Sequence, residues 1–134
     1  MATYREFENF VKSKFPVKEN PKNAPKGYMC VEVPCPDDRS HLVFIKPGAE
    51  FQKLGEFADV WAMIGELDGS DLEEALDHAM NLPVGGLAKI GDRIILRHAV
   101  PLQDVDPSEI ANALILTAFS ADVLEEALVG GDKY

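Results

Sequence analysis

The sequence predicts an α+β fold in which helices pack an antiparallel sheet, in the order helix, three strands, helix, two strands, helix. Helix starts are written at three places, as Thr3-x-x-Glu6, Ser70-x-x-Glu73 and Asp106-Pro107-Ser108-Glu109, each followed by apolar residues at helical spacing. Between them lie five short runs rich in Val, Ile and aromatic residues, bounded by Gly, Pro, Asp and Ser. The first three runs follow one another too closely for the crossover of about a dozen residues that parallel strands need, so they read as an antiparallel meander. The 134 residues, 46% apolar and 27% charged, suit one domain over 1–134 with its own core.

In the first helix Tyr4, Phe7, Phe10 and Val11 share a face, and Pro16 stops it. A Lys/Pro-rich linker follows at about 16–26. "GYMCVEV" (27–33), "HLVFIK" (41–46) and "FADVWAMIGEL" (57–67) are the first three strands. In the third, Val60, Ala62 and Ile64 fall on one face and Trp61 and Met63 on the other, because side chains alternate along a strand. Both faces are apolar, and a domain of this size has helices enough to cover one. The second face, with Trp61, Met63 and Phe44, is the expected partner-binding surface, Trp being an anchor and Met an adaptable contact, and burial of Trp61 in the core is the simpler alternative.

The helix over 70–81 presents Leu72, Ala75, Leu76, Ala79 and Met80 on one face, the expected dimer interface, and Glu73, Glu74, Asp77 and His78 on the other. Gly85 and Gly86 read as its terminators. "LAKI" and "RIILRHAV" form a hairpin closed by Gly91-Asp92. The last helix carries two apolar lines: Ile110, Leu114, Thr117, Ala121, Leu124 and Leu128, and beside it Leu116, Phe119 and Val123. One line covers a sheet; burial of the second is the simpler expectation, and a contact beyond the chain the sharper one. Gly130-Gly131 ends the helix and leaves a tail, 130–134.

The net charge of −10 is uneven: residues 1–65 hold 9 acids and 9 bases, residues 66–134 hold 14 acids and 4 bases. Without a basic stripe, nucleic-acid binding is not expected. The lysines from Lys12 to Lys26 read as solvated loop charge. No run approaches the roughly 18 apolar residues of a membrane span, and the N-terminal residues lack the unbroken apolar stretch of a signal peptide, so a cytoplasmic location is expected. Cys30 and Cys35, with four residues between them, have no partner cysteines and read as reduced thiols. No nucleotide-binding, nucleophile-elbow or zinc-protease motif is present, and His41, His78 and His98 lack metal-ligand spacing among themselves. The reading is a non-enzyme without metal or cofactor.

The passage "DLEEALDHAMNLPVGGLAKIGDRIILRHAVPLQDVDPSEIANAL" resembles the secretion-chaperone fold, as in class I type III secretion chaperones of the CesT type and the related YbjN family: a helix, a linker, a short strand, a turn, a strand ending in Pro101-Leu102, and a last helix capped by Asp106 to Glu109. Residues 70–129 carry the likeness, and the first half matches by element order. The resemblance implies a homodimer without enzymatic activity that binds an extended segment of a partner protein or secretion substrate. A YbjN-like regulatory or small-ligand-sensing role on the same scaffold is the alternative it leaves.

Overall fold

The computed structural model describes residues 3–19, 26–48, 52–67, 69–103 and 105–128. Its elements are α1 (Tyr4–Lys14), β1 (Val17–Lys18), β2 (Met29–Pro34), β3 (Ser40–Gly48), β4 (Phe57–Gly65), α2 (Gly69–Ala79), β5 (Leu87–Ile90), β6 (Arg93–Pro101) and α3 (Pro107–Leu128). The strands form a six-stranded antiparallel sheet in the order β1-β2-β3-β4-β6-β5. The α+β class and the antiparallel meander are as the sequence reads. One strand is additional: Val17 and Lys18 pair with Val31 and Cys30, so the start of the expected linker is the sheet's edge. Residues 20–25 and the tail 130–134, with Gly130-Gly131, lie outside the described residues.

Side-chain hydrogen bonds close the starts of α1 and α3. The Glu6 amide donates to Thr3 Oγ1 at 3.2 Å and the Thr3 amide to Glu6 Oε1 at 3.4 Å, the reciprocal pair of a capping box. Asp106 accepts the Glu109 amide at 3.0 Å and the Ser108 hydroxyl at 2.7 Å on Oδ1. Those two bonds hold its carboxyl below the ordinary carboxylate pKa. Ser70 differs from expectation, since α2 begins at Gly69 and Ser70 lies inside its first turn. The Gly85-Gly86 pair also does something other than end a helix in the left-handed region. A Cβ at Gly85 would come within 2.6 Å of the Ala79 carbonyl oxygen, and one at Gly86 within 2.8 Å of that of Arg97. These glycines permit close backbone approach, and the Gly86 carbonyl accepts the Arg97 amide at 2.7 Å. In the β5–β6 hairpin, Ile90 faces Arg93 across Gly91-Asp92, with Gly91 at φ 62°.

All three helices pack the same face of the sheet. Phe7 and Val11 of α1 and Ile110, Leu114 and Ala118 of α3 cover Val31, Val33, Val43, Ile45, Ala58, Val60 and Val100. Beyond them, Ala75 of α2 and Ala121 and Leu124 of α3 cover Ala62, Ile64, Ile94 and Leu96. α3 thus spans the sheet, with α1 along its first half and α2 along its second. This division follows from side-chain alternation: on β4 the even-numbered apolar positions all face the helices. The opposite face carries a third apolar layer, Cys30, Phe44, Trp61, Met63 and Ile95, to which no described helical residue belongs. Among the described residues no helix is long and apolar enough to cross a membrane.

Candidate functional site

Three places merit consideration as sites, and the first is the outer surface of the helix layer. α3 buries Ile110, Leu114, Thr117, Ala121 and Leu124 toward the sheet, as their spacing requires. Its second apolar line is exposed instead of buried: Leu116 at 41%, Phe119 at 36% and Val123 at 48%. The simpler expectation fails here because positions 116, 119 and 123 point away from a sheet that lies on one side of the helix only. The face of α2 is likewise divided. Ala75 and Ala79 are buried and Leu72 is half-buried in the chain's own core, while Leu76 and Met80 are exposed. α2 packs beside the half of α3 that carries Phe119 and Val123, with Ala75 in one cluster with Ala121 and Leu124.

The second place is the aromatic layer on the helix-free face of the sheet. Phe44 and Trp61 are register partners on β3 and β4, and their rings stack with centroids 4.5 Å apart. Tyr28 meets Trp61 edge-on at 5.2 Å and donates its hydroxyl proton to Asp59 Oδ2 at 3.1 Å. Lys46 lies over the Tyr28 ring at 4.9 Å, and Arg97 pairs with Asp59 at 2.8 Å. Phe44, Trp61 and Met63 are 2%, 1% and 4% exposed, so the three expected partner-binding side chains are brought together but closed from solvent. Toward solvent this face presents the charged ends of Lys46 and Arg97 around the buried Asp59, while the aromatic contacts are satisfied within the chain. Cys30 belongs to the same layer, and burial pushes its thiol pKa up to about 11. Cys35 packs in the helix-side core, on the other face of the sheet from Cys30, and neither thiol is in a disulfide.

The third place is polar, buried, and invisible as a motif. His41 on β3 points to the helix side, where Asp122 and Glu125 stand three residues apart on the inward side of α3. All three are buried, and one ligand atom from each lies within 4.8 Å of the others. His41 Nε2 is 2.8 Å from the Met63 carbonyl oxygen, at the point where the β4–β6 register shifts. A carbonyl can only accept, so Nε2 carries the proton and donates it. Arg39, in the β2–β3 turn, grips Asp122 with Nε at 3.1–3.2 Å and one terminal nitrogen at 2.7 Å. The hydrogen bond to Asp122 raises the already high pKa of this guanidinium. Histidine spacing gave no hint of the cluster, because its acidic members lie 81 and 84 residues beyond His41 in the chain. The available signal was that Asp122 and Glu125 stand directly beside Ala121 and Leu124 of the inward apolar line of the last helix.

His78 is exposed on α2, 3.6 Å from Glu74, and His98 is half-buried on β6 with its pKa lowered by burial. Neither joins the cluster. Compared with protein-family models and with curated protein sequences, the chain matches none.

Proposed function

We propose that the protein is a non-enzymatic protein-binding module that works as a homodimer through its helix layer and engages an extended segment of a partner polypeptide. One observation carries this reading: five large apolar side chains, Leu76, Met80, Leu116, Phe119 and Val123, are exposed on or just after two helices that pack the same face of the sheet. Scattered exposed leucines need no explanation, but a 3–4 spaced line along one helix, flanked by two more on its neighbour, is the pattern of a covered face. A second copy suits it because a two-fold axis lets the same stripe meet itself, so each contact is made twice. An extended partner segment would add at β5, the outer strand of the sheet among the described residues, since β1 at the opposite edge has only two residues. The likeness to secretion chaperones agrees with both parts of the reading.

The test is the mass in solution by light scattering at micromolar concentration. The wild type is expected to run as a dimer, and Leu76→Asp and Phe119→Asp as folded monomers, because each would bury an unpaired charge at the interface while leaving the chain's own core untouched. A monomeric wild type would remove the proposal. The regulatory or ligand-sensing alternative draws its support from the buried polar cluster around His41.

A further inference from the structure

His41, Asp122 and Glu125 bring three side chains of metal-ligating type into one buried space between β3 and α3, among residues that are 0–2% exposed. Two carboxylates and an imidazole held this close are a donor set that divalent transition metal ions take. His41 is arranged to serve one as a ligand. With Nε2 donating to the Met63 carbonyl, Nδ1 is the ring nitrogen that a metal ion would take. Histidines that bind metals commonly fix their tautomer in this way, by giving the other ring proton to a backbone carbonyl. Arg39 holds Asp122 from the side of the β2–β3 turn, and a carboxylate has lone pairs enough to accept that fork and still donate to an ion.

We propose that His41, Asp122 and Glu125 form a site for one divalent first-row transition metal ion, which clamps β3 to α3. The size is suitable: metal–ligand bonds of about 2.1 Å place tetrahedral ligands about 3.4 Å apart. Donor atoms all within 4.8 Å of one another need to close by about an ångström. One imidazole nitrogen with two carboxylate oxygens favours zinc, manganese or iron(II) over calcium or magnesium, which prefer oxygen alone. Three protein donors leave a fourth position for water or another small ligand.

The experiment is titration of chelator-treated full-length protein with Zn²⁺ and, for its visible spectrum, Co²⁺. Expected are one ion per chain, a rise in Tm on addition of either ion, and d–d absorption from the cobalt form that denaturation abolishes. Glu125→Gln and His41→Asn are expected to weaken binding at least tenfold, while His78→Ala, which removes the exposed α2 histidine, leaves it unchanged. Failure of the wild type to bind one equivalent would overturn the proposal, and so would undiminished binding in Glu125→Gln. The wild-type titration decides the matter even if a cluster variant does not fold. A chain that binds no metal, with NMR showing His41 protonated on both nitrogens, would assign the cluster to an imidazolium among the carboxylates instead. None of these readouts depends on whether the protein dimerises.

Discussion

Trp61 is closed in by its strand neighbours although no described helix covers its face of the sheet. Phe44 stacks on it and Tyr28 closes its edge, leaving it 1% exposed. Trp61→Ala should cost about 3–5 kcal/mol in urea unfolding followed by circular dichroism, the loss typical of a buried aromatic. Trp61→Phe should cost much less, because the indole N–H has no hydrogen-bond partner among the described residues and phenylalanine can keep the stack. Equal losses for the two variants would show that the N–H is being satisfied. His98 gives a second residue-scale expectation. Burial lowers its folded pKa below 6.5, so the unfolded chain takes up a proton before the folded one does. Its stabilising contribution is complete above about 6.5 and is lost as pH falls toward the folded pKa. His98→Gln should flatten the fall of Tm with pH in that interval, and an unchanged slope would remove the claim.

The elements depend on a few local devices with separable effects. At the start of α3, Asp106→Ala should lower Tm because the Glu109 amide loses its acceptor, while Asp106→Asn should keep most of the stability, since asparagine caps as well. The ionic part of the aspartate's advantage is present above its unfolded pKa and disappears as pH falls through the lowered folded value. The difference in thermal melts between the wild type and Asp106→Asn should therefore vanish in acid. Gly85→Ala tests a tertiary constraint. A methyl group 2.6 Å from the Ala79 carbonyl forces the connection after α2 to shift, at about 1–3 kcal/mol by the usual penalty of overpacking. A neutral result in chemical denaturation would mean that the connection yields freely.

At the scale of the whole molecule, apolar attraction and charge oppose each other on the helix layer. Glu73, Glu74 and Asp77 are exposed on α2 and Glu126 on α3, close in sequence to the apolar side chains proposed to meet a second copy. With a net charge of −10 on each chain, self-association works against repulsion that salt screens over about 8–10 Å. Dimerisation measured by sedimentation should tighten as sodium chloride rises from low to physiological concentration. Weakening with salt would mean that ion pairs, not the apolar stripe, hold the copies together.

The sequence by itself determined what depends on near neighbours. The capping residues Thr3 and Asp106 act through hydrogen bonds spanning three residues, and strand alternation placed Trp61 and Met63 opposite Val60, Ala62 and Ile64. Both kinds of information have periods of a few residues, so both are legible along the chain. Val17-Lys18 was not legible, since a two-residue strand is defined by its partner β2 and has no period of its own. Only the tertiary structure decided which apolar surfaces stay uncovered. Both lines of α3 are apolar, and their difference in exposure comes from the sheet lying on one side of the helix. It also assembled His41 with Asp122 and Glu125, because β3 and α3 meet through a packing contact between residues more than eighty positions apart, a distance over which no local pattern carries information.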